Sequence, residues 1–303
     1  MATMHRLSIN PLPWILGDLG YNLSFEVVET ALMDLKAAGY TAMTVEWTAD
    51  MDVPTYGALF ARHGMFPAPG YFSGAFHDAS EHAALVEGIK RHAEAHASFG
   101  LDQAFIAADL TPERIAAPAV GAGESTQASA VIAEGMALAA EAAAAVGVRY
   151  GLHPHVGSLV EVESEVREVL DRSAGSALGF GPDTGHLVWA GVDPVSVIGD
   201  YADRVVALHI KDVDLQARSA AIKAGDDYLA ATLRRHVWIE PGRGQTDFAG
   251  VLAALPQEWD GWTVVEVDVP NLPDRMASSR FALEYLTEQP FYSRADDLGE
   301  GVK

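Results

Sequence analysis

The sequence predicts an α/β protein, a (β/α)8 TIM barrel, and three observations favour that fold. Short apolar segments that are typical of buried strands alternate with helical segments along the chain. Eight such strands can be distinguished, each followed by a helical stretch. No G-x-G-x-x-G motif follows the first strand, where a doubly wound dinucleotide-binding sheet would carry it.

The elements follow one another in regular order. Strands are predicted over residues 7–10, 40–45, 65–71, 103–107, 148–152, 177–180, 205–208 and 263–265. The first helix opens at Ser24 and stops at Gly39, and apolar residues from Val28 to Leu35 recur in it at helical spacing. Further helices are predicted over residues 52–63, 78–98, 125–146, 161–173, 194–201 and 276–287.

The chain is predicted to be a single TIM-barrel domain over residues 1–303, because no linker rich in Pro, Gly or Ser divides it. Residues 215–235 form an extra helical segment, which we interpret as a lid-like insertion over the top of the barrel. The polar tail, residues 288–303, is expected to pack outside the barrel or against a partner subunit.

Composition excludes several classes of function. The formal net charge is −22 and no Lys/Arg cluster offsets it, so binding to nucleic acid or to an anionic membrane is not expected. The absence of cysteine excludes disulfides, thiolate metal sites and cysteine nucleophiles, and it fits a reducing cytoplasm. The first residues lack a long apolar stretch, and acidic residues interrupt the Ala-rich segment 133–145, so we expect a cytoplasmic protein without membrane spans.

Polar side chains follow the last three predicted strands. Asp183 and His186 come after one strand, His209 after the next, and Glu266 after the last. In a parallel barrel these strand ends meet at one face, and oxygen and imidazole ligands that converge there would bind a divalent metal. The alternative for Asp183 is a helix cap, with His186 on the first turn of that helix.

The fifth predicted strand ends in His153-Pro154-His155, and Glu161 follows shortly afterwards. One imidazole is expected to face the metal and the other the substrate. Glu161 is predicted as the fourth metal ligand, with His153 as the other candidate for that position. The alternative for Glu161 is the start of a helix, where an acidic side chain suits the positive end of the helix dipole.

Other strand-end residues are candidates for contact with a substrate. The ammonium of Lys211 could protonate an oxyanion or anchor a substrate oxygen, and the carboxyl of Glu46 could act as a base. Asn10 and Trp14 would add an amide and a flat apolar face. Arg243, in Pro241-Gly242-Arg243-Gly244, could bind a hydroxyl or carboxylate, although an ordinary surface turn explains this segment equally well.

These motifs resemble the xylose-isomerase-like TIM barrel superfamily of sugar phosphate isomerases and epimerases, and within it most closely the inosose (2-keto-myo-inositol) dehydratase branch. The resemblance covers nearly the whole chain. It rests on Asn10-Pro11-Leu12-Pro13-Trp14, Gly39-Tyr40, Val45-Glu46, Pro69-Gly70-Tyr71-Phe72-Ser73-Gly74, His153-Pro154-His155-Val156-Gly157-Ser158, Asp183-Thr184-Gly185-His186, His209-Ile210-Lys211-Asp212, Pro241-Gly242-Arg243-Gly244, Gly261-Trp262 and Glu266.

The resemblance implies a metal-dependent carbon–oxygen lyase, a dehydratase that acts on a keto-cyclitol or keto-sugar through a metal-stabilised enediolate. The metal would be Mn²⁺ or Co²⁺, or else Mg²⁺, held by Glu161, Asp183, His209 and Glu266. His153, His155, His186, Lys211 and Glu46 would supply acid and base. A ketose 3-epimerase or sugar isomerase, or a 3-keto-glycoside lyase, could use the same metal site. The superfamily also makes a homo-oligomer, or a partner subunit over the barrel mouth, a reasonable expectation.

Overall fold

The structure is a computed structural model, and it describes residues 6–17, 20–47, 51–289 and 291–292. In chain order its strands are β1 (Arg6–Ile9), β2 (Leu16–Gly17), β3 (Gly20–Tyr21), β4 (Ala42–Thr44), β5 (Phe66–Ala68), β6 (Tyr71–Gly74), β7 (Gln103–Ala108), β8 (Arg149–Leu152), β9 (Gly179–Phe180), β10 (Leu208–Ile210), β11 (Asp212–Val213), β12 (Trp238–Ile239) and β13 (Trp262–Val265). Its helices are α1 (Leu12–Ile15), α2 (Phe25–Ala38), α3 (Val53–His63), α4 (His82–Ser98), α5 (Pro112–Ala116), α6 (Thr126–Ala144), α7 (Glu163–Arg172), α8 (Thr184–Trp189), α9 (Pro194–Asp200), α10 (Leu215–Ala224), α11 (Tyr228–Leu233), α12 (Phe248–Ala254) and α13 (Arg275–Thr287).

The barrel is built from two parallel sheets, in the orders β10–β13–β1–β4–β5 and β6–β7–β8–β9. The third barrel strand is divided between them, because Pro69 and Gly70 separate β5, which pairs with β4, from β6, which pairs with β7. On the other side, parallel bridges from Phe180 to Val205 and from Asp183 to His209 join the sheets. The strands thus close into a ring, and the predicted (β/α)8 barrel is confirmed.

Cap residues and apolar spacing predicted most helices and strands correctly. The hydroxyl of Ser24 accepts a hydrogen bond from the backbone N–H of Val27, and Gly39 ends α2 at a φ of 107°, as the cap residues predicted. Two strands differ from expectation. The predicted strand 65–71 is broken by Pro69 and Gly70, and the predicted strand 205–208 is replaced by β10, which places His209 inside the strand.

The bend at Gly70 is held by buried histidines on α4. The backbone N–H of Gly70 donates to Nε2 of His96 at 3.1 Å, and Nδ1 of His96 donates to the carbonyl of His92 at 3.0 Å. A Cβ on Gly70 would lie 2.2 Å from the carbonyl oxygen of Val45, so this position requires glycine. Burial lowers the pKa of His96 to about 4, so its ring is neutral at pH 7.

The segment 215–235, predicted as a lid-like insertion, contains α10 and α11. These helices pack on a second apolar cluster apart from the main core, formed by Val156, Trp189, Val213, Ala221, Tyr228, Ala231, Val237 and Trp238. The segment is therefore joined to the barrel by its own core. The predicted tail falls largely on residues 290 and 293–303, which lie outside the described residues.

Within the described ranges, every helix is too short or too polar to cross a membrane.

Replacing His96 with Gln should weaken the pH dependence of stability. In the unfolded chain, His96 takes up a proton near pH 6.5. In the native state it does so only near pH 4, because burial lowers its pKa. Above pH 6.5 this site costs no stability. Below it, the site should destabilise the fold by about 1.4 kcal/mol per pH unit down to about pH 4.

Denaturant unfolding at pH 7.5, 6 and 5 would measure this effect. The free energy of unfolding should fall less with pH in His96→Gln than in the wild type. His77, which is exposed, provides the control variant His77→Gln, in which the dependence should be that of the wild type. Equal losses in all three proteins would contradict the prediction.

Candidate metal centre and active site

Asp183 lies just past β9, and its two oxygens have different surroundings. Oδ1 accepts a hydrogen bond from the backbone N–H of His186 at 2.9 Å and so caps α8. Oδ2 is buried and has no hydrogen-bond partner within the described structure. It lies 3.9 Å from Nε2 of His153 and 3.7 Å from Nδ1 of His209. Asp183 can therefore cap α8 through Oδ1 and offer Oδ2 to a metal, so the two roles that the sequence left as alternatives are compatible.

Glu266 lies on the other side of His209. Its Oε2 is 3.0 Å from Nδ1 of His209 and accepts a hydrogen bond from the amide of Asn10, also at 3.0 Å. Although burial disfavours its charge, the ammonium of Lys211 holds the pKa of Glu266 well below its usual range. Glu266 is therefore an ionised carboxylate, oriented by Asn10.

Two groups of candidate ligand atoms share Asp183. The atoms offered by Asp183, His209 and Glu266 lie within 4.8 Å of one another, as do those of His153, Asp183 and His186. Phe105 packs edge-on against His153 and His209, with ring centroids 5.5 and 4.4 Å apart, which orients both imidazoles. Buried carboxylate and imidazole atoms without protein partners fit a divalent cation, with imidazole suiting transition metals.

Glu161 does not join this cluster. Its Oε1 pairs with the guanidinium of Arg114 at 3.0 Å, and the same oxygen accepts the backbone N–H of Gly121. Its Oε2 accepts the backbone N–H groups of Ala119 and Gly157, at 3.0 and 2.8 Å. Both charged side chains are fully buried. This corrects the ligand role predicted for Glu161: the carboxylate clamps two loops together, and His153 is the candidate that faces Asp183.

His155 and His186 are oriented by the backbone of one residue, Val156. Nδ1 of His155 donates to the carbonyl of Val156 at 2.8 Å, which leaves the lone pair on Nε2. The N–H of Val156 donates to Nδ1 of His186 at 3.1 Å, which places the proton of that ring on Nε2. The ring centroids are 3.8 Å apart. The two imidazoles thus hold opposite tautomers, one presenting an acceptor and the other a donor.

Both rings are neutral at pH 7. Burial lowers the pKa of His155 to about 4, and burial lowers the pKa of His186 well below its usual range. His155 remains partly exposed, whereas His186 is buried, and Nε2 of His186 has no hydrogen-bond partner among the described residues. A substrate that reaches His155 would meet an unprotonated Nε2 that can accept a proton.

Lys211 is buried between two carboxylates and an indole. Its Nζ lies 2.6 Å from Oε1 of Glu266 and 2.6 Å from Oδ1 of Asp268, and it lies 4.1 Å from the ring centroid of Trp238. Burial opposes its charge, but Asp268 and Glu266 raise the pKa of Lys211 well above its usual range. Lys211 is thus a fixed positive charge beside the candidate ligands.

Glu46 faces the same end of the barrel. Its Oε1 accepts a hydrogen bond from the hydroxyl of Thr44 at 3.0 Å. Burial raises the pKa of Glu46 to about 7, the Thr44 hydroxyl opposes that rise, and the nearby charge of Glu266 adds to it. This carboxyl can therefore hold or release a proton near neutral pH.

Two predicted substrate-binding residues have other partners. The indole N–H of Trp14 donates to Asp34 at 2.8 Å, and the ring is buried in the main core. Arg243 is exposed and its guanidinium pairs with Glu240 at 2.8 Å. The structure thus places Trp14 in the core, which corrects that prediction, whereas contact of Arg243 with a substrate stays a prediction.

Two further residues at the site had no role assigned from the sequence. Asp268 lies two positions after Glu266, and the sequence already places it after the last strand, where residues two apart on an extended segment point to the same side. Trp238 reaches Lys211 from β12, which pairs antiparallel with β11. Nothing in the local sequence indicates that pairing.

A closed parallel barrel with buried carboxylate and imidazole side chains at the carboxyl ends of its strands defines the class of TIM-barrel enzymes with candidate metal sites. The chain belongs to the xylose isomerase-like TIM barrel family, whose model matches residues 32–289.

Individual relatives agree with this assignment. The chain is 24% identical over 288 residues to an inosose dehydratase of Geobacillus kaustophilus, with 93% of each chain covered. A D-allulose 3-epimerase from Methylomonas sp., solved in complex with D-allulose, matches with a TM-score of 0.69 at 17% identity, covering 95% of this chain and 98% of that one. The IolI protein, solved with a bound zinc atom, matches with a TM-score of 0.64 at 16% identity, covering 95% and 98%. The structural matches establish the fold, and the similarity to a curated dehydratase over 93% of each chain supports the assignment of this chain as an enzyme.

Removing one carboxylate ligand should abolish tight metal binding. In Asp183→Asn the remaining oxygen can still cap α8, so the fold should persist while affinity for Mn²⁺, Co²⁺ or Zn²⁺ falls by at least about 100-fold. Calorimetric titration of EDTA-stripped protein measures this. Asp193, which is exposed and caps α9, gives the matched control Asp193→Asn. Unchanged metal affinity in Asp183→Asn would rule out this site.

Glu161→Gln should lower the stability of the fold without changing metal binding. The change leaves buried Arg114 short of one charge partner, so the free energy of unfolding should fall by roughly 3 kcal/mol. Metal stoichiometry measured on the folded variant should equal that of the wild type. The exposed neighbour provides the control Glu163→Gln, which should change neither quantity. Loss of metal with unchanged stability would restore Glu161 as a ligand.

Proposed function

We propose that the protein is a metal-dependent carbon–oxygen lyase that dehydrates a keto-cyclitol or keto-sugar. The observation that carries this proposal is the pair of neutral imidazoles, His155 and His186, held in opposite tautomers beside the candidate ligands. Dehydration needs a base at the carbon next to a carbonyl group and a proton donor at the leaving oxygen. The similarity to an inosose dehydratase along 93% of the chain supports a substrate of the same class.

The proposed metal ligands are His153, Asp183, His209 and Glu266, with His153 in the position first assigned to Glu161. Mn²⁺, Co²⁺ and Mg²⁺ are the expected ions, and the zinc named for the IolI protein adds a fourth. When bound, a divalent cation would polarise the substrate carbonyl and make the neighbouring C–H bond more acidic. Asn10 would keep Glu266 in a ligating orientation through their hydrogen bond.

The proton transfers are assigned to the residues around Val156. Nε2 of His155 takes the proton from the carbon next to the carbonyl group, and a carbon–carbon double bond forms as the β-carbon–oxygen bond breaks. The protonated His155 then gives this proton to the departing hydroxyl, which leaves as water, so the reaction balances as loss of one water molecule. The Nε2–H of His186 donates a hydrogen bond to a substrate oxygen. The charge of Lys211 compensates Glu266 and Asp268 throughout.

A ketose 3-epimerase or sugar isomerase is the second candidate, and the carboxyl of Glu46 is the observation that favours it. A group whose pKa is about 7 can exchange a proton with substrate carbon near neutral pH. In that reaction the carbon–oxygen bonds stay intact. A 3-keto-glycoside lyase would use the same transfers as the dehydratase and expel an aglycone instead of water.

Absorbance spectroscopy would test the proposed reaction. EDTA-stripped protein reloaded with Mn²⁺ or Co²⁺ should convert 2-keto-myo-inositol to a product with the ultraviolet band of an enone, and the stripped protein should not. A flat trace together with metal-dependent uptake of solvent deuterium into keto-sugars would assign epimerisation or isomerisation. A protein that shows neither reaction would refute both proposals.

His155→Gln should lower kcat by about 10²- to 10⁴-fold, because general base catalysis contributes about that much. Its metal content should be unchanged, because His155 lies outside both groups of candidate ligands. The exposed His77→Gln variant serves as the control for an ordinary surface histidine. A kcat within a few-fold of the wild type, with turnover abolished in Glu46→Gln, would assign the base to Glu46.

A further inference from the structure

Tyr228, the first residue of α11, is held at the site by aromatic packing. Its ring stacks on Trp189 with centroids 5.3 Å apart and an interplanar angle of 14°. Trp189 in turn packs edge-on against Trp238 at 4.8 Å. The carboxylate of Asp227 caps the helix at the preceding position. The Tyr228 ring is thus held by stacking on Trp189, and its backbone is held by the helix cap.

The anchoring residues are themselves tied to the barrel. The carbonyl of Trp189 accepts a hydrogen bond from the guanidinium of Arg218 on α10, at 2.6 Å. The carbonyl of Trp238 accepts one from the amide of Asn271, also at 2.6 Å. The segment 215–235 therefore forms a packed wall beside the barrel, and Tyr228 is a rigidly mounted part of that wall.

This wall brings Tyr228 next to the proposed proton-transfer residues. Its ring centroid lies 5.9 Å from that of His155. Burial raises the pKa of the Tyr228 phenol, the carboxylate of Asp268 raises it further, and the charge of Lys211 opposes that rise. The phenol is therefore protonated at neutral pH, and these charges reach it because it lies beside the site.

The hydroxyl of Tyr228 does not contribute to the packing of the segment 215–235. The residue is nine-tenths buried, with 9% of its surface exposed. Its hydroxyl forms no hydrogen bond with any group in the described part of the chain. The hydroxyl oxygen itself is not fully enclosed, so a ligand can reach it, and apolar packing on Trp189 would be served equally well by phenylalanine. A polar group on a rigid aromatic wall beside a reaction site indicates a ligand partner.

We propose that Tyr228 is a substrate-binding residue whose hydroxyl forms a hydrogen bond with an oxygen of a polyhydroxylated ring bound at the metal centre. This inference rests on the proposed function for the choice of ligand. It gives the segment 215–235 a role, because the segment supplies a polar contact that the barrel strands do not. His155 on the neighbouring loop and Tyr228 on the wall would then contact the same substrate.

The variant Tyr228→Phe tests this role without disturbing the packing. Because a neutral hydrogen bond is worth about tenfold in an equilibrium constant, kcat/KM for 2-keto-myo-inositol should fall by about tenfold. Melting temperature and metal stoichiometry should match the wild type. Tyr201, whose hydroxyl binds Asp171 away from the site, gives the matched control Tyr201→Phe. A kcat/KM within twofold of the wild type would overturn the proposal.

A binding measurement separates this proposal from the proposed reaction. Calorimetric titration of Mn²⁺-loaded protein with myo-inositol, which lacks the keto group, should give a dissociation constant about tenfold higher in Tyr228→Phe. This result in a protein without dehydratase activity would support Tyr228 and refute the lyase. Equal dissociation constants in variant and wild type, or no binding by the wild type, would overturn the role of Tyr228.

Discussion

The buried negative charge at the carboxyl ends of the barrel strands is the constraint on which the rest of the site depends. Asp183, Glu266 and Asp268 are all buried, and among the described side chains Lys211 is the ammonium that contacts two of them. Carboxylates in a protein interior are stable only when positive charge or hydrogen bonds compensate them. The ammonium of Lys211 compensates the charges of Glu266 and Asp268. The unpaired Oδ2 of Asp183 would be compensated by a divalent cation.

A second constraint is the backbone of Val156, which fixes different tautomers in the imidazole rings of His155 and His186. Its carbonyl and its N–H each bind a different histidine ring, and the protons are thereby placed on different nitrogens. The loop that carries Val156 is held in turn by Glu161, which binds the N–H of Gly157 and the guanidinium of Arg114. Glu161 therefore holds this loop in position, and its charge is compensated by Arg114 rather than by the candidate metal site.

The predictions that failed share a physical cause. Glu161 and Trp14 were assigned to the site because they lie near strand ends along the chain. Each has a partner that is distant in sequence, Arg114 for Glu161 and Asp34 for Trp14. Proximity along the chain therefore did not decide contact. Asp183 and His209, predicted just after neighbouring strands, were predicted in the right region because the parallel barrel aligns these segments side by side.

The sequence by itself determined the barrel and which polar residues stand near the ends of its strands, because the alternation of apolar strands and amphipathic helices and the side-chain period of two are local properties. Only the tertiary structure decided which oxygen of Asp183 is free, which nitrogens of His155 and His186 carry protons, and that Tyr228 stands beside them. Those features depend on contacts between residues far apart in the chain. Their geometry arises when packing brings separate segments together, so no local pattern in the sequence encodes them.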